Sequence, residues 1–268
     1  MAFLSTHTIN KIAEDVNNLG FYKIENFLKK DTVDKVIGMF PKEKPKDKEL
    51  KIKIPVHFYS FIIKLFKLQF RLFFTGIYLL NLKRKLNCDK IMEKVQSKNC
   101  KLVSMDIVYN PKSDEPIKKW HADQLHNFNG KDKSIYKFFI YLTPTSTNNG
   151  CLAYIKKSNI LSNTIADLMF RGTLPKEVVY TLKQYSNFVS RKEVRDKILQ
   201  NKNANDIDLN EVINSVNKIN NNPSTNELDI QIKNSGDCLL FDETGMHRGA
   251  QSKQDRYVLR FLYQNINN

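Results

Sequence analysis

Cysteine is scarce and scattered in this chain of 268 residues: Cys88, Cys100, Cys151 and Cys238 stand far apart, and no C-x-x-C pair occurs. At this length such spacing excludes a disulfide-stapled secreted scaffold and points to a reducing cytoplasm. Long uncharged apolar runs are missing as well. The most apolar segment, His57 to Leu82 (HFYSFIIKLFKLQFRLFFTGIYLLNL), is interrupted by Lys64, Lys67 and Arg71. It therefore lacks the uncharged stretch of about 18 residues that a spanning helix needs. It is expected to be a buried helix hairpin or a basic amphipathic helix in peripheral contact with a membrane. The opening MAFLSTHTINKIAEDVNN has no charged start followed by a long apolar run, so no secretory leader is expected. No internal repeat and no linker divides the chain, which reads as one domain over residues 1–268. Histidine and tryptophan are rare, with five and one.

Positive charge is abundant. The formal net charge is +15, and such a field attracts phosphorylated or carboxylated small molecules, acidic headgroups or nucleic acid. Runs such as Asn201 to Asn205 (NKNAN) and Asn220 to Asn222 also fit a solvated lysine- and asparagine-rich surface. An apolar share of 41%, with 17 Phe and 11 Tyr, is ample for a large core and excludes wholesale disorder.

Thr8 to Asn18 reads as a helix, with Ile9, Ile12 and Val16 at helical spacing and Gly20 as its stop. Phe21 to Ile24 is a short strand. Asp31 is an expected N-cap for a helix carrying Val33, Val36, Ile37 and Phe40. Pro41 to Lys53 reads as loop, and residues 57–97 as helical with a break near Gly76. Strands are expected at Leu102 to Tyr109, Ser134 to Leu142, Cys151 to Ile155, Asp229 to Ile232, Cys238 to Phe241 and Tyr257 to Tyr263. A helical insertion at about 160–228, broken at Pro175 and through 201–206, separates two of them. This order predicts a mainly β fold with flanking helices, an antiparallel sandwich or barrel.

The chemistry concentrates in Lys118 to His126 (KKWHADQLH). In a strand running into a loop, residues i and i+2 point the same way, so His121 and Asp123 can grip one ion while Ala122 turns aside. A second histidine far downstream completes the set: His247, in LLFDETGMHRGAQ, follows a short turn after a strand. Two imidazoles and one carboxylate on one face of a metal leave three positions open, the facial triad of non-haem iron(II) oxygenases. Nine residues on, Arg256 opens the last strand, where its guanidinium could pair bidentately with the distal carboxylate of a 2-oxo acid. Arg248 and Arg260 are alternatives for that role. Trp120 reads as packing behind the metal loop, and His126 as a bystander.

Four blocks then resemble the phytanoyl-CoA dioxygenase family of Fe(II)- and 2-oxoglutarate-dependent oxygenases. They are Leu19 to Leu28 (LGFYKIENFL), Trp120 to Gln124 (WHADQ), Asn148 to Asn159 (NNGCLAYIKKSN), and Gly236 to Phe241 (GDCLLF) through His247-Arg248-Gly249 to Arg256-Tyr257. The resemblance implies a double-stranded β-helix (jelly roll, cupin-like) core with N-terminal helices. It implies that His121, Asp123 and His247 hold iron(II), that Arg256 binds 2-oxoglutarate, and that Phe139 or Tyr141 lines the co-substrate pocket. Dioxygen would be the oxidant, and hydroxylation of an unactivated C–H bond the outcome. Asp123 stands where related halogenases carry a small residue, which favours hydroxylation. Nucleic acid as substrate is disfavoured, because the paired-arginine pattern of the demethylases has a longer gap than Arg256 to Arg260. The family's P-G-S-H is Lys156-Lys157-Ser158-Asn159 here, and Gly249 replaces a frequent serine. The expected substrate is a small anionic, lipid or natural-product molecule. The alternative reading is a non-catalytic jelly-roll protein docking on acidic membrane or nucleic acid.

Overall fold

The computed structural model describes residues 4–54, 56, 70–96, 100–123, 135–147, 149–201 and 208–265. His126, residues 57–69 and most of the 201–206 break lie outside them. The chain opens with α1 (Thr6–Leu19), whose first turn is capped by the Ser5 side chain accepting from the Thr8 N–H. Gly20, at φ +92, ends it in the left-handed conformation that glycine adopts without a Cβ penalty. β1 (Phe21–Ile24) and α2 (Lys30–Ile37) follow. Asp31 is in the first turn of α2 rather than at its cap, where it still complements the helix dipole.

The expected loop at 41–53 ends instead in β2 (Leu50–Ile54). Its LKIKI pattern puts Lys51 and Lys53 on an edge strand, where charge blunts edge-to-edge pairing. α3 (Phe70–Lys85) runs through Gly76, which is buried, and the break comes later, at Asn87 with φ 57. α4 (Cys88–Gln96) follows.

The β core comprises β3 (Cys100–Asn110), β4 (Lys118–His121), β5 (Ile135–Tyr141), β6 (Leu152–Tyr154), β7 (Asp229–Ile230), β8 (Cys238–Asp242), β9 (His247–Gly249) and β10 (Arg256–Asn265). Among the described residues these form two antiparallel sheets. The larger has the order β1-β8-β5-β10-β3-β2 and the smaller β4-β9-β6-β7. This is the jelly-roll arrangement that the family resemblance implied, and it fits the antiparallel sandwich or barrel expected from the strand pattern. Four helices, α5 (Ser158–Phe170), α6 (Leu182–Val189), α7 (Lys192–Leu199) and α8 (Leu209–Asn221), stand between β6 and β7, at the expected insertion.

Both faces of the larger sheet are buried, and the period-two alternation sorts its side chains. On β5 and β10, Tyr136, Phe138, Ile140, Leu259, Phe261 and Tyr263 pack outward against α1–α4. Phe139, Tyr141 and Val258 turn inward, between the sheets. The insertion helices cover the outer face of the smaller sheet, packing on Trp120, Ala122, Ala153, Ile155 and Met246. Both outer faces are thus closed by helices, and the space between the sheets holds an aromatic and aliphatic cluster (Phe139, Tyr141, Tyr154, Leu239, Phe241 and Val258) beside the few polar side chains that turn inward. Phe138 is fully buried, stacked on Phe27 at 6.1 Å and edge-on to Tyr263 at 5.7 Å. Phe138→Ala is expected to cost about 3–5 kcal/mol, read as a lower midpoint in urea unfolding at unchanged slope.

Candidate metal centre

β4 and β9 pair antiparallel, with His121 directly opposite His247. The pairing brings the two rings to 4.2 Å between centroids, although the residues lie far apart in sequence. Asp123 sits just past the end of β4, where the Ala122 N–H donates to the Tyr180 carbonyl and the Asp123 N–H to the Glu243 carbonyl. The three side chains thereby converge: one ligand atom from each of His121, Asp123 and His247 lies within 4.8 Å of the others.

The hydrogen bonds set which nitrogen faces the centre. His121 Nδ1 is 2.7 Å from the Lys119 carbonyl, and His247 Nδ1 is 2.8 Å from the Gly245 carbonyl. A carbonyl only accepts, so each Nδ1 carries the proton and each Nε2 keeps its lone pair for the centre. His121 Nε2 is buried with no hydrogen-bond partner, 3.7 Å from Asp123 Oδ1. Burial, joined by Lys118, pushes the His121 imidazole down to about 4. Burial also holds His247 well below the usual imidazole range. For Asp123 burial acts upward, but Lys137, His247, Lys118 and His121 together outweigh it and keep the carboxyl below its ordinary value. Two neutral imidazoles and one carboxylate around an orphaned lone pair fit a divalent transition metal.

Cations and rings form the surroundings. Lys118 Nζ is 3.6 Å from Asp123 Oδ1 and Lys137 Nζ 3.9 Å from Oδ2, and Lys137 is pressed against Glu243. Burial pulls the Lys137 ammonium down to about 7, opposed by Asp123. Tyr180 packs on His121 at 5.4 Å, and Phe241 on His247 at 5.3 Å. Tyr154 donates to the Asp242 carbonyl and lies so close to Gly245 that any Cβ there would strike its hydroxyl. Gly245 therefore fixes the turn that presents His247.

The other expected residues divide. Phe139 and Tyr141 both face inward, but only Phe139 is one strand position from the metal level. Lys137 and Arg260 lie over its ring at 5.9 and 5.6 Å. Arg256 is elsewhere. Its Nε and Nη2 donate to Asn110 Oδ1 at 3.3 and 2.8 Å, and its Nη1 to the Gly150 carbonyl at 2.7 Å. On the smaller sheet, Tyr154 is the partner of His247, and Gly150 lies four residues before it, outside β6 and with φ +72. Arg256 is thus buried at the start of β10, tied to β3 through Asn110 and to the turn before β6 through Gly150.

Arg260 is one inward position from the level of Lys137, opposite Phe139 on β5 and Asp106 on β3. Its Nη2 donates to Asp106 Oδ2 at 3.0 Å, and its Nε is buried without a hydrogen-bond partner. Arg248 is committed to the insertion, donating to Asp229 Oδ1 at 2.8 Å and to the Thr225 carbonyl at 2.9 Å. Lys137 and Glu243 had no motif to mark them, although an inward-facing lysine between Tyr136 and Phe138 is a signal in retrospect.

Residues 2–258 match the family described as phytanoyl-CoA dioxygenase (PhyH). A search of curated proteins finds no match. Among solved structures, similar folds include EvdO2 from Micromonospora carbonacea var. aurantiaca, at TM-score 0.55 and 11% identity over 98% of this chain and 92% of that one. SnoK, a non-heme alpha ketoglutarate dependent carbocyclase from nogalamycin biosynthesis, aligns at 0.54 and 12%, over 98% and 84%. HygX from Streptomyces hygroscopicus, solved with nickel and 2-oxoglutarate bound, aligns at 0.53 and 12%, over 98% and 88%. At such identities the likeness is one of fold.

The metal-free protein carries an acid liability. His121 has a folded value near 4 against an ordinary 6.5, so the unfolded chain takes up its proton first. Stability is whole above pH 6.5 and falls as pH drops from there toward 4. Thermal melts of metal-free protein should show a lower midpoint at the acid end of that window, and His121→Asn should flatten the dependence. An unchanged slope in that variant contradicts the assigned environment.

Proposed function

The chain belongs to the phytanoyl-CoA dioxygenase family, and from that premise we propose an iron(II)- and 2-oxoglutarate-dependent dioxygenase that hydroxylates an unactivated C–H bond of a small anionic or lipid-like substrate. The observation that carries the proposal is the convergence of His121, Asp123 and His247, with the His121 Nε2 lone pair unused. These three residues would hold the iron(II). The metal with 2-oxoglutarate and dioxygen supplies the oxidising power, the oxo acid leaving as succinate and carbon dioxide.

The chain's own residues orient and exclude. The two Nδ1–H groups keep both rings turned toward the centre, and Lys118 and Lys137 keep Asp123 ionised. Phe241, Tyr154 and Tyr180 form its walls and limit water at the reacting end. For the co-substrate's far carboxylate we assign Arg260 in place of Arg256. Arg260 faces inward beside Phe139 and has a buried Nε with no partner. Charge supports this choice: Arg260 and Lys51 both lean on the single carboxylate of Asp106, at 3.0 and 3.3 Å, leaving one positive charge unmatched. A divalent ion on Asp123 would leave another, with Lys118 beside it at the rim, and this excess of positive charge suits a dianion.

The half-exposed Lys118 at the rim, next to Tyr180 and Asp123, supports an anionic substrate. Four free cysteines suit a cytoplasmic setting. A non-catalytic scaffold would need neither the ionised carboxylate nor the two neutral imidazoles. Succinate release above background, screened against pools of small acids and lipid-linked acids and absent in His121→Ala, tests the activity.

2-Oxoglutarate affinity of the metal-loaded protein, measured by calorimetry, tests the anchor. Arg260→Leu should weaken it about tenfold to a hundredfold, the worth of a charge-assisted hydrogen bond. Arg256→Leu should leave it nearly unchanged while lowering the melting temperature. The opposite pattern returns the role to Arg256.

A further inference from the structure

α3 presents one unbroken exposed line: Phe70, Phe74, Ile77, Asn81 and Arg84, with Lys85 at its flank. At 100° per residue these five fall within about 40° of a single axis-parallel line some 21 Å long. The opposite face is committed to the core through Thr75, Gly76, Leu79, Leu82 and Lys83. Phe70, Phe74 and Ile77 are 47%, 64% and 41% exposed, half of the large apolar side chains exposed among the described residues. Three such residues in register are a patch, whereas scattered ones are ordinary. The line changes character along its length, being apolar over its first two turns and basic at its end.

Charge selects the occupant. α3 holds four basic residues and no acidic one. Lys83 is paired with Asp89, and Arg71 is turned onto the Met39 and Phe40 carbonyls, which leaves Arg84 and Lys85 on the outward line. A second copy of a chain with net charge +15 would be repelled. A bilayer rich in acidic headgroups supplies both halves of the match: apolar depth for the two phenylalanines and the isoleucine, and negative charge for Arg84 and Lys85. No helix among the described residues is long and apolar enough to cross a membrane.

We propose that the exposed face of α3 is a docking surface for an anionic lipid bilayer, on which the helix lies flat with Phe70, Phe74 and Ile77 inserted and Arg84 and Lys85 at the headgroups. The contact is independent of the metal centre.

The test is co-sedimentation of the full-length protein with phosphatidylcholine vesicles with and without phosphatidylserine. The wild type should pellet with the anionic vesicles and stay in solution with the neutral ones. The variant F70S/F74S/I77S should lower binding at least about tenfold, a modest share of the burial of three large apolar side chains. R84E/K85E should lower it too, and salt should release the wild type. All substituted positions are exposed, and Phe74→Ser alone serves should the triple variant be unstable. The proposal is overturned if the wild type ignores both vesicles, if it binds neutral ones equally, or if the triple variant pellets like the wild type. A concentration-dependent dimer abolished by the same variant would assign the face to self-association instead.

Discussion

Both histidines of the centre are held by the same device, a ring Nδ1–H donated to the carbonyl two residues earlier, Lys119 for His121 and Gly245 for His247. The device works only because β4 and β9 are paired in one register. A slip by one residue would turn one imidazole to the outer face of the small sheet, where the insertion helices pack. Everything else at the centre follows from that pairing. It fixes both tautomers, leaves the Nε2 lone pairs pointing inward, and holds Asp123 where two lysines keep it ionised.

The insertion helps to keep the register. Trp120 and Arg248, each next to a histidine, face away from the centre. Trp120 Nε1 donates to the Pro223 carbonyl, and Arg248 lies over the Trp120 ring while it binds Asp229. On the same side the Tyr180 carbonyl takes the Ala122 N–H, and its ring packs on His121. The segment between β6 and β7 is thus both a cover for the small sheet and a wall of the site.

Period-two alternation and the turn residues between strands made the antiparallel sandwich or barrel legible, whereas the jelly roll came from the family resemblance, and H-x-D gained weight only from His247, far downstream. β2 was hidden because its alternate residues are lysines on an edge, a pattern that also describes a loop. Gly76 read as a helix break, yet it is buried within α3, whose packing on the core outweighs the helix-propensity cost of about 1 kcal/mol that a glycine carries. The co-substrate arginine was the larger difficulty. Arg256 and Arg260 both face inward on β10, and spacing alone cannot separate them. Their surroundings differ: Nε, Nη1 and Nη2 of Arg256 each donate to Asn110 or Gly150, whereas Arg260 bonds Asp106 through Nη2 and its buried Nε has no hydrogen-bond partner. Lys137 and Glu243 were illegible for the same reason, their meaning arising from the sheet that faces them.

The central claim is that the His121, Asp123 and His247 cluster binds iron with an oxo acid chelated on its open side. Anaerobic addition of 2-oxoglutarate to the iron(II)-loaded protein measures this directly through the visible absorption spectrum. A weak charge-transfer band should appear in the wild type, saturate with 2-oxoglutarate, and be absent from His121→Ala. A wild-type protein that binds iron yet develops no band on adding 2-oxoglutarate would contradict the account.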